Sequence, residues 1–139
     1  MGKSCASRRA APTSGDALFV CETFARRITR IAIGENGVAA GTSVFAGDLP
    51  GLPDGIAFDA SGNLFVGCYE PSRILRVAPD GEAEVYLEDA TAHLLAHPTN
   101  VAFDGATLFA ANLGRWHVTR IASDTNALPL WRIVAEVGG

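Results

Sequence analysis

A chain of 139 residues has room for one compact domain and not for two ordinary ones. With 48% of its residues hydrophobic it carries material for a substantial core, which argues against a disordered chain. A formal net charge of −4 argues against nucleic acid or an anionic membrane as partner, and no apolar run approaches the roughly 20 residues that span a bilayer.

Met1 to Gly15 carries Lys3, Arg8 and Arg9 with no apolar stretch behind them, so it does not read as a secretory signal. The cysteines, Cys5, Cys21 and Cys68, are odd in number and form no Cys-x-x-Cys pair, which is the pattern of free thiols in a reducing cytoplasm. Residues 1–15 stand outside the repetition that follows and are set apart as a non-repeat N-terminal segment.

From residue 16 onward the chain repeats itself. Ala17-Leu18-Phe19-Val20 precedes Arg27-Ile28-Thr29-Arg30-Ile31; Asn63-Leu64-Phe65-Val66 precedes Arg73-Ile74-Leu75-Arg76-Val77; Thr107-Leu108-Phe109-Ala110 precedes His117-Val118-Thr119-Arg120-Ile121. Leu18 and Leu64 are 46 residues apart and Leu64 and Leu108 are 44 apart, and Arg30, Arg76 and Arg120 keep the same two spacings. Two landmarks moving in step define three units, approximately 16–50, 51–96 and 97–139.

Each unit holds short β-branched and aromatic runs between turn residues, which is strand punctuation. In the middle unit Gly55 to Phe58 is a small apolar strand suited to a crowded centre, and Asp59-Ala60-Ser61-Gly62 turns the chain. Asn63 to Cys68, Arg73 to Val77 and Ala83 to Leu87 are three further strands, the last two joined through Pro79-Asp80-Gly81. Arg73 and Arg76 are expected to be exposed or bridging. Gly34-Glu35-Asn36-Gly37 reads as a hairpin turn and not a phosphate loop, and no Gly-x-Ser-x-Gly elbow occurs. The one short helix predicted lies around Asp89 to Leu95, stopped by Pro98. Four antiparallel strands in about 45 residues are the unit of a propeller blade, so the expected fold is all-β, a partial β-propeller of about three four-stranded blades.

The stretch from Gly51 to Val66 (Gly-Leu-Pro-Asp-Gly-Ile-Ala-Phe-Asp-Ala-Ser-Gly-Asn-Leu-Phe-Val), with Tyr69 to Val77 and Pro98-Thr99-Asn100-Val101-Ala102-Phe103, resembles the gluconolactonase, regucalcin (senescence marker protein) and luciferin-regenerating enzyme family. Cys21 to Ile28, Asn112 to His117 and Leu128-Pro129-Leu130 extend the resemblance over roughly Gly15 to Leu130. It implies the C-terminal half of a six-bladed propeller with a divalent ion, usually calcium, at one mouth of the central channel, and a parent activity of calcium-dependent hydrolysis of a lactone or related ester.

Asp54 is the candidate that carries most. A Pro-Asp-Gly tripeptide is by itself a turn signal, and Pro79-Asp80-Gly81, after a third strand, reads as one. Pro53-Asp54-Gly55 instead precedes an innermost strand, and the resemblance matches Asp54 to the family's metal-ligand aspartate, also proposed as base or nucleophile. A hard cation takes oxygen ligands, and a carboxylate activates water against a polarised carbonyl. Asn100, 46 residues on, is either a substrate or metal-water contact at the same mouth or a polar cap at a strand start.

Calcium takes 6–8 oxygens. The resemblance implies a second ligand, an asparagine, one blade earlier; the spacing of 46 puts that position at Arg8, and Pro12 then falls in the central strand. The family's glutamate ligand belongs to a blade outside this chain, so the implied metal site is incomplete here. His93 and His97 are four apart, a spacing that on a helix suits zinc, but Pro98 and the absence of a following glutamate favour loop histidines. His117 beside Trp116 is expected to pack, Glu22 lies at a strand turn, and Cys68 reads as a small buried apolar residue.

Three functions stay open: a family hydrolase acting through Asp54; an inactive truncated remnant; or a binding or assembly module in which a homodimer closes the propeller.

Overall fold

The computed structural model describes residues 6–11 and 15–128. Strands β1 (Ala6–Ala11), β2 (Gly15–Glu22), β3 (Arg27–Ile33) and β4 (Ala39–Ala46) form one antiparallel sheet in chain order. A second contains β5 (Pro53–Phe58), β6 (Leu64–Cys68), β7 (Arg73–Val77) and β8 (Ala83–Glu88). The third is β9 (Pro98–Asp104), β10 (Thr107–Asn112) and β11 (Val118–Ala122). This is the partial propeller that the repeats predict, with three strands rather than four in the last sheet among the described residues.

Two expectations are amended. Strand β1 lies inside the segment set apart as residues 1–15, where Ala6 to Ala11 pair with Val20 to Gly15 as the first strand of the first sheet. It ends before Pro12, which lies outside the described residues. The helix expected over Asp89 to Leu95 is absent: the Asp89 carboxylate accepts the backbone N–H groups of Thr91, His93, Leu94 and Leu95 at 2.7–3.1 Å and holds the segment as a wrapped loop. A side chain competing for backbone donors is how aspartate turns a chain away from helix.

Strand alternation gives each sheet two different faces, and both are apolar. Phe19 and Cys21 point to one side of the first sheet, Leu18 and Val20 to the other. In the second sheet Phe65 opposes Leu64 and Val66, and in the third Phe109 opposes Leu108 and Ala110. The first core cluster joins Phe19, Cys21 and Ile28 to Leu64, Val66, Leu75 and Val77 of the next sheet. The second joins Phe65 and Ile74 to Val101, Leu108 and Ala110, with Phe103 and Ile121 against them. One packing rule therefore operates twice: a phenylalanine face is covered by the leucine face of the following sheet. Phe19 meets Phe58 edge-to-face, and Phe65 meets Phe103 likewise, both with ring centroids 5.0 Å apart.

Polar contacts lock the second and third sheets at the far ends of β5 and β9. Buried Asp59 accepts the Asn63 backbone N–H at 2.8 Å and its side-chain amide at 2.7 Å, closing the β5–β6 turn. Beyond β11 the chain returns to this turn: the Ala60 N–H donates to the Asn126 carbonyl and the Ala127 N–H to the Gly105 carbonyl, each at 2.8 Å. The arginines bridge. Arg73 pairs with Glu88 at 3.1 Å, and Arg76 reaches Asp124 at 2.9 Å while also holding Glu84.

Phe65 is wholly buried between sheets. Phe65→Ala is expected to cost about 3–5 kcal/mol, lowering the urea midpoint. Val85→Ala, at a half-exposed outer position, should stay within about 1 kcal/mol.

Candidate functional site

Antiparallel chain reversal brings the starts of β5 and β9 to one end of the sheets, together with the β2–β3, β6–β7 and β10–β11 loops. That end is the mouth at which a carboxylate on an inner strand would act. The two strands begin alike. Between Pro53 and Ile56 the register of β5 against β6 shifts, so Asp54 and Gly55 form a β-bulge; between Pro98 and Asn100 the register of β9 shifts in the same way at Thr99. A bulge re-aims the side chain it carries, which is why bulges recur beside functional groups.

Asp54 is half-buried at this bulge. Gly55 beside it lies tight against β9: a Cβ there would lie 2.5 Å from Asn100 Cα and 2.7 Å from the Thr99 carbonyl oxygen. Only glycine permits that spacing. Asp54, Thr99 and Asn100 are thus neighbours at one mouth.

The pairing also revises which residues correspond. Phe58 pairs with Leu64, and Phe103 with Leu108, so the inner strands are offset by 45 and not 46 residues. Pro53-Asp54-Gly55 matches Pro98-Thr99-Asn100. Thr99, which the sequence reading passed over, is the counterpart of Asp54, and Asn100 is the counterpart of Gly55. The signal was present in the two prolines, but the turn after β9 is one residue shorter than that after β5. Asn100 is exposed and its side-chain oxygen accepts the Val101 N–H at 3.0 Å, the geometry of a strand-start cap. Arg8 is corrected more strongly. It pairs with Leu18, which places it level with Phe58 at the other end of the inner strand from Asp54. The counterpart of Asp54 in the first sheet precedes Ala6 and lies outside the described residues.

The remaining candidates are committed elsewhere. Asp80 accepts the Glu82 N–H at 3.1 Å, with Gly81 at φ +95°, as a hairpin turn requires. Glu22 binds Arg27 through two hydrogen bonds of 2.8 and 2.9 Å and also accepts the Thr29 hydroxyl; these bonds, Arg27 first, hold its carboxyl below the usual range. His97 Nδ1 lies 2.6 Å from the Tyr69 carbonyl and 3.5 Å from Glu70 Oε2, stitching the loop before β9 to the β6–β7 loop. His93 is exposed. His117, expected to pack, is exposed, with its Nε2 2.9 Å from the Leu94 carbonyl, and Trp116 beside it is fully exposed. Cys68 is buried as expected, and burial pushes its thiol up to about 12, which removes it as a nucleophile at neutral pH. Among the described residues no three His, Cys, Asp or Glu side chains gather where one ion could be held, and no helix is long and apolar enough to cross a membrane.

Residues 11–112 match the model of the SMP-30/Gluconolactonase/LRE-like region. The chain belongs to that family. No curated protein matches it in sequence. Among solved structures, this SMP-30/gluconolactonase/LRE-like chain is similar to a gluconolactonase-type protein from a structural genomics programme, at 19% identity and TM-score 0.70 over 89% of this chain and 40% of that one. It is similar to regucalcin from Agrobacterium tumefaciens, described as a calcium-binding protein, at 18% identity and TM-score 0.71 over 94% of this chain and 50% of that one. A luciferin-regenerating enzyme matches at 14% identity and TM-score 0.60, over 91% of this chain and 62% of that one. At these identities the likeness is one of fold. The chain spans about half the length of the structures it matches.

Two outcomes follow. Gly55→Ala should separate β5 from β9 and destabilise the fold by about 1–3 kcal/mol, read as a lowered melting temperature. Asp89 has its carboxyl held below the usual value, by the Thr91 hydroxyl first and then by backbone N–H groups. A depressed folded-state pKa stabilises above the unfolded value of 3.8 and is lost as pH falls below it. Hydrogen exchange at Leu94 and Leu95 should therefore stay slow down to about pH 4 and accelerate in Asp89→Ala at neutral pH.

Proposed function

We propose that this chain supplies half the ring of a propeller that hydrolyses a lactone or related ester, with Asp54 as its working carboxylate. The observation that carries this reading is the placement of Asp54 on the β-bulge that opens β5, beside Thr99 and Asn100, while its look-alike Asp80 is spent on a hairpin turn. The chemistry asked of Asp54 is general-base catalysis. Its carboxylate takes a proton from water as the water oxygen bonds to the carbonyl carbon; the ring C–O bond breaks and the proton passes to the leaving oxygen, giving the hydroxy acid. In this reading Asn100 holds the substrate or an ordered water beside it.

The regucalcin neighbour is described as calcium-binding, and Asp54 is a ligand this chain offers to calcium or another divalent cation. The described residues do not fit a complete site: one carboxylate flanked by Thr99 and Asn100 falls short of the 6–8 oxygens calcium takes. The hydrolytic step above uses the carboxylate alone. A second reading, an inactive remnant, is favoured by that shortfall. The buried thiol of Cys68 supports placing the protein in the reducing cytoplasm.

Hydrolysis of δ-gluconolactone by the full chain, followed with a pH indicator in the presence of calcium, tests the proposal. Asp54→Asn should lower turnover at least ~100-fold while leaving the far-UV spectrum unchanged. A calcium-dependent rise in melting temperature in the wild type and not in the variant would identify Asp54 as a ligand completed by residues outside those described, and no rise would favour the remnant reading. Hydrolysis no faster than in Asp54→Asn would leave the remnant reading standing.

A further inference from the structure

The second sheet is covered on both faces and the outer two on one each, so the described fold leaves two apolar faces whose complements it already contains. On the third sheet the cross-strand pairs Phe109–Arg120 and Ala111–Val118 repeat Phe65–Arg76 and Gly67–Ile74 of the second. Phe65 and Ile74 are 0% exposed beneath the third sheet, whereas Val118 is 61% exposed and Ala111 is exposed beside it. On the first sheet the pairs Leu18–Ile31 and Val20–Thr29 repeat Leu108–Ile121 and Ala110–Thr119 of the third. Leu108 and Ala110 are 0% exposed where they cover the second sheet, but Leu18, Val20 and Ile31 are half-buried.

We propose that the phenylalanine face of the third sheet is a docking surface for the leucine face of the first sheet in a second copy of this chain, two copies closing one ring about a two-fold axis. The occupant follows from the packing rule. Twice within the chain a phenylalanine face is covered by a leucine face of the next sheet, and the two faces left over are one of each kind. A two-fold axis makes both new contacts identical and leaves no face uncovered. Charge agrees. The ion pair from Arg76 to Asp124 ties the second sheet to the segment after β11; Arg120 is the counterpart of Arg76, and exposed Glu35 follows β3 where that segment follows β11. Arg120 of one copy then meets Glu35 of the other. Neither face contains Asp54, so this association stands apart from the hydrolytic reading.

Size-exclusion chromatography with light scattering on the full chain at about 10 μM reads the outcome. The wild type should elute at twice 14.5 kDa. Val118→Asp, at a side chain already exposed in one copy, and Leu18→Asp, on the opposite face, should each give the single-chain mass with an unchanged far-UV spectrum, while Asp54→Asn keeps the double mass. A single-chain mass for the wild type would overturn the proposal, as would an open polymer or a double mass that survives both substitutions.

Discussion

A sheet that is apolar on both faces has to be sandwiched, and that constraint organises this molecule. In an antiparallel sheet with one wet face, apolar and polar residues alternate along each strand. Here Leu64-Phe65-Val66-Gly67-Cys68 is unbroken, and all five residues are buried. Leu64 and Val66 are taken up by the sheet before, Phe65 by the sheet after. Stacking sheets face to face around a common centre satisfies every blade with neighbours of its own kind, which is the architecture of a propeller. The same constraint leaves the first and last sheets each with an uncovered face among the described residues.

The candidate site is a consequence of that stacking at its narrowest point. Inner strands converge where the sheets fan from the centre, and Gly55 lies tight against Asn100. A bulge next to that contact shifts the register of β5 against β6 at Asp54 and Gly55. The loop held by Asp89 and His97 then fixes how the third sheet sits beside the second at the same end. Strand, bulge and loop act together: Asp54 owes its place to backbone geometry in three segments that are distant in sequence.

Much of this was legible in the chain. The repeats foretold three units, the turn residues foretold the strands of the middle sheet, and the contrast between Pro53-Asp54-Gly55 and Pro79-Asp80-Gly81 separated the start of an inner strand from a hairpin turn. What misled was counting. A fixed spacing assumes that every turn keeps its length, and the inner-strand turns do not: Arg8 fell level with Phe58, and Thr99 displaced Asn100 as the counterpart of Asp54. The short helix expected around Asp89 to Leu95 did not form because the Asp89 carboxylate captures the backbone N–H groups of that segment. The expectation that His117 packs treated a local motif as if its surroundings were fixed.

The sequence by itself determined the all-β class, the family, the repeat and the aspartate at the head of an inner strand, because alternation, turn chemistry and motif are local properties of the chain. The tertiary structure alone decided register, the bulges, the mouth shared by Asp54, Thr99 and Asn100, and the pairing of phenylalanine with leucine faces. Those depend on which backbone lies beside which, and that is settled when sheets pack, not by any one segment's residues.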